Sequence, residues 1–172
     1  MPPRIAVVGT TCSGKTTVAK RLAEQHGVPH VELDALHWGP NWTEPAADDF
    51  RRRVEEALAT DGWVVDGGYH GKLGELVLEQ ADLVVWLDPP LPAILGRLWT
   101  RTLRRIRAGE ELWGGNRETW RGAFLSRDSL FLWALKTHWP RRKRYEDRLA
   151  RFDVVRLRSA AETNAWLAEP VS

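Results

Sequence analysis

The chain of 172 residues has one cysteine, and its longest purely apolar run, Leu130 to Leu135, has only six residues. A single cysteine excludes an internal disulfide framework and a metal site built from cysteines. A membrane-spanning helix needs about 20 apolar residues, so we expect no membrane span. The N-terminal Met-Pro-Pro-Arg is not followed by the apolar segment of a signal peptide, and we therefore expect a cytoplasmic protein.

The composition is that of a folded chain of about one domain. Apolar residues make up 43% of the chain and charged residues 28%, which argues against intrinsic disorder and supplies a core. Neither a repeat, a low-complexity tract nor a linker divides the sequence, so we expect a single domain over residues 1–172.

Charge and tryptophan are unevenly distributed along the chain. The net charge is only +2, but residues 97–151 contain 15 basic and 6 acidic residues. This basic stretch also contains five of the ten tryptophans, namely Trp99, Trp113, Trp120, Trp133 and Trp139. Such a bias predicts a polyanionic partner, which leaves open both a phosphorylated small molecule and a nucleic acid.

Strand-like apolar runs alternate with helical patterns. The runs are Arg4–Gly9, Gly62–Asp66, Asp82–Asp88 and Phe152–Leu157, with a weaker one at Val28–Leu33 because Pro29 cannot donate to a strand ladder. The helical patterns cover Lys15–Gln25, Ala46–Thr60, Leu91–Arg107, Arg117–Lys136, Arg141–Arg151 and Ala160–Ala168. This alternation predicts an α/β fold in three layers, a parallel sheet with helices on both faces.

One segment, residues 108–136, interrupts the alternation. It contains Gly109 and Gly114-Gly115-Asn116, followed by a helical pattern with no strand after it. We interpret the segment as a helical lid insertion at the ligand-facing edge of the sheet. A helical hairpin of the core is the alternative.

A phosphate-binding loop is the most specific motif. Residues 9–16 (GTTCSGKT) match G-x-x-x-x-G-K-[ST] without mismatch, between a strand and a helix. Glycines permit a tight turn whose N–H groups point at phosphate oxygens, and the helix N-terminus adds positive charge. We expect ATP to be bound by Gly9, Thr11, Cys12, Ser13, Gly14, Lys15, Thr16 and Thr17. Lys15 would reach the β- and γ-phosphates, whereas the Cys12 thiol is assigned no chemistry.

Two residues are candidates for holding Mg²⁺. The Thr16 hydroxyl follows the motif lysine, the position that contacts the metal in such loops. Asp66 ends the apolar run Trp63-Val64-Val65, where phosphate-loop proteins place an acidic residue. The alternative for Asp66 is a cap on the next turn.

Asp34 is the candidate residue on the acceptor side. It follows the second strand-like run, and a carboxylate there faces the crevice in which α/β proteins bind ligands. It can accept the proton of an attacking hydroxyl or orient the acceptor, and an N-cap is the alternative. Nearby His37 is a candidate hydrogen-bond partner of the substrate, or alternatively a surface histidine. Trp38 and Trp42 are candidate walls of an acceptor pocket, or alternatively a cover for the sheet edge.

An arginine stripe follows the fourth strand-like run. The residues at i, i+4, i+7 and i+8 of one helical face are Arg97, Arg101, Arg104 and Arg105. The opposite, apolar face comprises Leu95, Leu98, Trp99, Thr102, Leu103 and Ile106. Arginine binds phosphate in bidentate fashion, so Arg97 and Arg101 are candidates for stabilising a transferring phosphoryl group. A solvated basic face is the alternative.

Together these motifs resemble the adenylate kinase-like P-loop kinases, most of all the bacterial topology modulation proteins. The similarity covers GTTCSGKTT, LDALHW, WVVDGGY, DLVVWLDPPLPAILGRLWTRTLRR and DVVRLRS. It implies a five-stranded parallel sheet, an acceptor region and a lid, with ATP and Mg²⁺ as cofactors. It matches Gly14 to Thr17 to the phosphate loop, Asp66 to the acidic residue after the third strand, and Arg97 and Arg101 to arginines after the fourth. The arginine of the adenylate kinase run DGFPR is absent from Asp66-Gly67-Gly68-Tyr69-His70, which argues against AMP as the acceptor.

Two functions follow as hypotheses. The first is a kinase that transfers the γ-phosphoryl of Mg·ATP to a hydroxyl or phosphate group, with Lys15, Asp34, Arg97 and Arg101 as catalytic residues. Its acceptor is left open among nucleotides, nucleosides, sugars and antibiotics, and the oligomeric state is open too. The second is a nucleic-acid-binding P-loop ATPase or regulator, in which the basic stretch and its tryptophans contact a strand.

Overall fold

A computed structural model describes residues 1–116 and 130–169 of the chain. Its β-strands form one five-stranded sheet in the order β2-β3-β1-β4-β5, and every neighbouring pair is parallel. The strands are β1 (Arg4–Gly9), β2 (His30–Glu32), β3 (Trp63–Asp66), β4 (Leu83–Leu87) and β5 (Val154–Leu157). The predicted α/β fold with a parallel sheet is thereby confirmed.

Helices connect the strands. They are α1 (Lys15–His26), α2 (Leu33–His37), α3 (Ala47–Ala57), α4 (His70–Leu73), α5 (Leu91–Ala108), α6 (Leu130–Leu149) and α7 (Ala160–Ala168), with 3₁₀ turns at Pro40–Trp42, Leu78–Gln80 and Trp113–Gly115. Although α5 and α6 have 18 and 20 residues, no helix in the described ranges is long and apolar enough to cross a membrane.

Helix α6 differs from the prediction because it runs without interruption through Pro140. The sequence predicted two helices, Arg117–Lys136 and Arg141–Arg151, since proline removes a backbone hydrogen bond from a helix interior. Here Ala134 lies before the proline and Tyr145 and Leu149 lie after it, all buried, and their packing offsets that loss. Residues 130–136 of the predicted insertion therefore belong to this helix, while residues 117–129 lie outside the described chain.

The core lies on both faces of the sheet, as alternation along β1 shows. Ile5 and Val7 pack on one face against Leu22 of α1 and the neighbouring residues of α7. Ala6 and Val8 point the other way and pack with Tyr145 and its neighbours on α6. Successive side chains of a strand alternate between faces, so one buried strand anchors both helical layers.

Helix α5 buries a narrower face than the sequence predicts. Leu98 and Thr102 are buried as expected, but Ile94 completes the buried face and Trp99 is 49% exposed. A face centred on Ile94, Leu98 and Thr102 leaves the arginine stripe to the side of the helix. From there the arginines reach the carboxyl end of the sheet.

The strand order determines where a site can form. β1 lies between β3 and β4, with Val7 paired to Asp66 and Gly9 paired to Leu87. In parallel sheets, ligands bind outside the carboxyl ends of the strands at such a switch point. The carboxyl ends of β1, β2 and β3 accordingly bring the glycine loop, Asp34 and Asp66 to one edge.

Candidate functional site

The loop between β1 and α1 is built around two glycines with positive φ angles, 151° at Gly9 and 102° at Gly14. A Cβ atom on Gly9 would lie 2.5 Å from the carbonyl oxygen of Leu87 and 2.9 Å from the Ser13 hydroxyl. Cys12, with φ of 54°, completes the reversal of the chain. The loop can therefore lie directly on β4 only because residue 9 has no side chain.

Lys15 is the first residue of α1 and points back over the loop. Its Nζ donates to the carbonyl oxygen of Thr10 at 3.0 Å. Burial lowers the pKa of the Lys15 ammonium, an effect that the nearby carboxylates of Asp34 and Asp66 oppose and that Arg141 reinforces. The lysine is thus half-buried, at a point where two carboxylates and one guanidinium all act on its charge.

Asp66 is suited to bind Mg²⁺. It is buried, and its Oδ2 accepts no hydrogen bond from any residue that the structure describes, with His30 Nε2 at 3.7 Å as an ion-pair partner. Thr16 and Asp66 line the same cavity. In the described residues no cluster of three or more His, Cys, Asp or Glu side chains could hold a metal by itself. Mg²⁺ at nucleotide sites needs only one or two protein ligands beside phosphates and waters, so these residues suit it.

Asp34 lies in the first turn of α2 and is held by an aromatic pair. Tyr69 donates its hydroxyl proton to Asp34 Oδ1, and the Trp38 side chain forms a hydrogen bond with the Tyr69 hydroxyl. Burial and the adjacent Asp34 carboxylate raise the pKa of Tyr69. The tyrosine therefore stays protonated and keeps donating, which fixes one carboxylate oxygen of Asp34 and leaves the other for a ligand.

His37 and Lys72 support Tyr69 on the side of its ring that faces the core. The buried ring of His37 stacks on the Tyr69 ring with centroids 4.3 Å apart. Lys72 Nζ lies 2.9 Å from His37 Nε2 and 2.6 Å from Glu44 Oε2. An ammonium group can only donate, so His37 accepts at Nε2 and is neutral.

The arginine stripe of α5 faces the loop. Arg97 donates to the carbonyl oxygen of Ser13 at 2.9 Å and so ties α5 to the phosphate loop. Further along the helix, Arg104 and Arg105 pair with Glu110 at 3.8 Å and 3.5 Å. All four arginines, including Arg101, line one cavity.

Three cavities meet at the phosphate loop. The α7 cavity, about 310 Å³, lies between Ser13, Val18, Leu157 and Asn164. The arginine cavity, about 650 Å³, contains the α5 arginines, Thr16 and Asp66. The Tyr69 cavity, about 500 Å³, is lined by Trp38, Tyr69, Lys72 and Arg141 among others.

These cavities share walls. The α7 and arginine cavities have Gly14, Thr17 and Arg97 in common. The arginine and Tyr69 cavities have Thr11, Lys15 and Asp34 in common. The result is one continuous crevice, with Lys15 at the junction between its middle and its Tyr69 end.

The start of the predicted insertion closes one side of this crevice. Asn116 is buried, and its amide donates to the Gly39 carbonyl at 2.9 Å and accepts from the Trp42 backbone N–H at 3.0 Å. A Cβ on Gly114 would lie 2.5 Å from the Gly39 carbonyl carbon. Nearby, Trp113 forms a hydrogen bond with the Glu32 side chain. The turn of Trp113–Gly115 is thereby docked on the loop after α2.

The structure brings all the predicted site residues to this crevice, although their roles remain predictions. At least one of the three cavities is lined by each of Gly9, Thr11, Cys12, Ser13, Gly14, Lys15, Thr16, Thr17, Asp34, Asp66, Arg97 and Arg101. Trp38 lines the Tyr69 cavity, whereas His37 lies buried beneath it and Trp42 is 40% exposed. The sequence analysis missed Tyr69, Lys72 and Arg141 as site residues. Tyr69 was visible only as part of the run WVVDGGY, Arg141 only as one member of the basic stretch, and Lys72 gave no local signal.

Comparisons with known proteins find similarity to several kinases. No protein-family model matches the chain. A shikimate kinase of Synechococcus elongatus is 36% identical over 110 residues, 54% of this chain and 55% of that protein. A cytidylate kinase of Methanosphaerula palustris is 28% identical over 111 residues, 55% of this chain and 61% of that protein. The chain spans little more than half the length of these curated relatives.

Solved structures match over nearly the whole chain. A gluconokinase from Sinorhizobium meliloti has a TM-score of 0.56 at 24% identity and covers 97% of this chain, with 92% of its own chain matched. A shikimate kinase from Acinetobacter baumannii, solved with shikimate, has a TM-score of 0.57 at 19% identity. The match covers 95% of this chain and 88% of that chain. The chain therefore has the fold of these kinases, and it is similar in sequence to a shikimate kinase and a cytidylate kinase over about half its length.

Replacing Gly9 tests whether the loop needs its close approach to β4. In Gly9→Ala the new Cβ meets the Leu87 carbonyl, and a positive φ strains any residue but glycine. We expect the affinity for Mg·ADP, measured by calorimetry, to fall about tenfold or more, with a stability loss on the order of 1–3 kcal/mol.

Gly96→Ala on α5 is the matched control for this substitution, because a Cβ there meets nothing within 4 Å. This variant should bind Mg·ADP like the wild type and be at least as stable. Wild-type affinity in Gly9→Ala would contradict the described loop geometry.

Protonation of His37 should destabilise the fold. Burial, together with the adjacent Lys72, lowers the pKa of His37 below its ordinary value of 6.5. The unfolded chain then takes up a proton more readily, so this contribution to stability is complete above about pH 6.5 and is lost as the pH falls. Urea denaturation between about pH 7.5 and 5.5 should show a steeper loss in the wild type than in His37→Gln. If the stability of the two proteins changed with pH in the same way, His37 would have the same pKa in the folded and the unfolded chain, which would contradict this prediction.

Proposed function

We propose that the chain is a small-molecule kinase that transfers the γ-phosphoryl group of Mg·ATP to a hydroxyl or phosphate acceptor. The observation that carries this proposal is the continuous crevice along the phosphate loop, whose cavities share Gly14 and Thr17 at one junction and Lys15 at the other. The three cavities follow one another along the loop, which supports a nucleoside site, a phosphate site and an acceptor site in that order, as transfer between two bound substrates needs.

The α7 cavity is the proposed site of the nucleoside of ATP. It adjoins the phosphate loop through Gly14 and Thr17, and its walls combine apolar Val18 and Leu157 with polar Asn164. Apolar walls with a few polar groups suit a flat base and its edge. From this cavity, the loop directs a triphosphate toward Lys15.

The arginine cavity is the proposed site of the phosphates and of Mg²⁺. The loop N–H groups and Lys15 would bind the β- and γ-phosphates, and Thr16 and Asp66 would hold the metal, which when bound neutralises charge on the phosphates. Arg97 and Arg101 line the same cavity and would stabilise the negative charge that develops during transfer. This assignment places Lys15, Arg97 and Arg101 where phosphate charge accumulates.

The Tyr69 cavity is the proposed acceptor site, with Asp34 at its border to the phosphates. An acceptor hydroxyl at Asp34 attacks the γ-phosphorus and forms a new P–O bond, while the bond to the β-phosphate oxygen breaks and ADP leaves. Asp34 receives the hydroxyl proton or orients the hydroxyl for attack. Tyr69 is a positioning residue here, since it holds Asp34 and touches the acceptor region from the side.

The comparisons support the donor half of this proposal more than the acceptor half. The similar proteins are named as shikimate kinase, cytidylate kinase, gluconokinase and deoxyadenosine kinase, so they share phosphoryl transfer but differ in acceptor. The resemblance to bacterial topology modulation proteins stays a proposal based on the quoted motifs.

The nucleic-acid hypothesis has less support. Several arginines of the basic stretch pair with carboxylates, as Arg142 does with Asp88 at 3.1 Å and Arg148 with Glu75 at 3.1 Å. Others line the crevice rather than an open face. ATP hydrolysis that is stimulated by single-stranded RNA or DNA and weakens steeply with salt would favour this alternative.

Lys15→Ala tests the kinase proposal. ADP release is measured with Mg·ATP and a panel of polyhydroxy acids, sugars, nucleosides and nucleoside monophosphates. We expect acceptor-dependent ADP release in the wild type and a loss on the order of 10²-fold or more in Lys15→Ala, because a preorganised cation at the transferring group is removed.

Lys143→Ala, at an exposed position outside the three cavities, should release ADP like the wild type. Circular dichroism should show that both lysine variants are folded. Full turnover in Lys15→Ala would contradict the proposal, as would the absence of Mg·ATP binding by the wild type.

A further inference from the structure

We propose that His30 is a positioning residue for the metal, whose imidazole Nε2–H donates a hydrogen bond to Asp66 Oδ2 and so orients this carboxylate toward Mg²⁺. The inference rests on the proposed function, since it concerns the metal that accompanies the nucleotide. It adds a residue behind the two proposed to hold the metal, Thr16 and Asp66. Because Mg²⁺ requires nearly ideal octahedral geometry, the orientation of a ligand affects how well the metal binds.

The register of β2 on β3 brings His30 to Asp66. His30 pairs with Val64, and Glu32 pairs with Asp66. Side chains alternate along a strand, so His30, Glu32 and Asp66 lie on the same face of the sheet as Val64, which packs against α1. On that face the His30 ring extends toward the carboxyl end of β3, and its Nε2 lies 3.7 Å from Asp66 Oδ2.

The two atoms that face each other are buried and unused. Neither His30 Nε2 nor Asp66 Oδ2 has a hydrogen-bond partner among the residues that the structure describes. An imidazole nitrogen can carry a proton and an ionised carboxylate only accepts, so the two atoms complement each other. A bridging water at hydrogen-bond lengths of about 2.8 Å needs partners about 4.5 Å apart. At 3.7 Å, a small approach to direct contact therefore satisfies both atoms, which are otherwise costly to bury.

The charges around Asp66 also call for a donor on its buried side. Glu32 and Asp34 line the arginine cavity together with Asp66. Burial raises the pKa of Glu32, and the like charge of Asp66 adds to this effect, whereas His30 opposes it. Lys15 lines the cavity and interacts with Asp66 there. A hydrogen bond from His30 stabilises the Asp66 carboxylate on the side that Lys15 leaves uncovered.

His30 acts through Asp66 rather than on the ligand. It lines none of the three cavities, whereas Asp66 lines the arginine cavity. A hydrogen bond to Oδ2 leaves Oδ1 for Mg²⁺ or for a water bound to the metal. Hydrogen bonds to metal ligands fix their orientation, and their loss typically lowers metal affinity about 10- to 100-fold. His30 therefore contributes to metal binding without touching the metal.

Two substitutions of His30 test this role. His30→Phe keeps a ring but removes the donor, whereas His30→Gln keeps an N–H donor. ADP affinity is measured by calorimetry in EDTA and over a range of Mg²⁺ concentrations. We expect the Mg²⁺ concentration that gives half of the gain in ADP affinity to rise about tenfold or more in His30→Phe, and less in His30→Gln. ADP affinity in EDTA should stay within about twofold of the wild type in both variants.

His26→Phe is the matched control. His26 ends α1, its buried Nε2 also lacks a hydrogen-bond partner within the described ranges, and it lines none of the three cavities. This variant should follow the wild type at every Mg²⁺ concentration. In an Asp66→Asn background, His30→Phe should cause no further loss of the Mg²⁺ effect, because His30 acts through Asp66.

The protonation of the His30 ring provides a test that needs no variant. In the Mg·ADP complex at about pH 8, where an ordinary imidazole is neutral, ¹⁵N NMR should find the ring proton on Nε2. This is the tautomer that can donate to Asp66.

The outcomes separate this inference from the kinase proposal. A wild-type response to Mg²⁺ in His30→Phe overturns the role of His30, as does an unprotonated Nε2 in the complex. An equal loss of ADP affinity in EDTA, or a further loss in the Asp66→Asn background, also overturns it. All four results leave the kinase proposal intact. If ADP binding by the wild type does not respond to Mg²⁺ at all, the proposed metal site itself is contradicted.

Discussion

The close approach of Gly9 to the carbonyl oxygen of Leu87 seats the phosphate loop on the carboxyl end of the sheet. The pairing of β1 with β4 sets Gly9 opposite Leu87, and the pairing of β1 with β3 sets Val7 opposite Asp66. Because side chains alternate along a strand, a shift of one residue in the β1–β3 register would turn Asp66 away from the loop, and the same shift between β1 and β4 would move Gly9 off Leu87. Strand packing thus determines the geometry of the candidate site before any ligand binds.

Electrostatics imposes a second constraint on the same region. Lys15 is half-buried and lies near Asp34 and Asp66, while Arg141 acts on it with like charge. The arginines of α5 add further positive charge, and Arg97 is tied to the loop itself. Such a concentration of cations is balanced best by phosphate groups, which bind where the loop N–H groups and the N-terminus of α1 also point. The sheet therefore determines where the lysine and the arginines lie, and the concentration of their positive charge indicates a phosphorylated ligand.

Prediction from the sequence succeeded where the signal was local. The apolar runs identified all five strands because a parallel sheet is buried on both faces, and the glycine loop was recognisable because backbone conformation and chemistry coincide there. Contacts between distant residues had no such signal. Tyr69 meets Asp34, and Lys72 meets Glu44, only because β3 and α4 fold back beside α2. Tertiary packing likewise overrode a local rule at Pro140, where buried Tyr145 and Leu149 keep α6 continuous.

The most direct test of this account is a crystal structure of the protein with Mg²⁺ and a non-hydrolysable ATP analogue. The account predicts the base in the α7 cavity beside Leu157 and Asn164, and the terminal phosphate within hydrogen-bond distance of Lys15 at the edge of the Tyr69 cavity. It also predicts that the metal lies near Thr16 and Asp66. A base bound against Trp38 and Tyr69, or a triphosphate bound away from the loop, would contradict the arrangement of donor and acceptor described above.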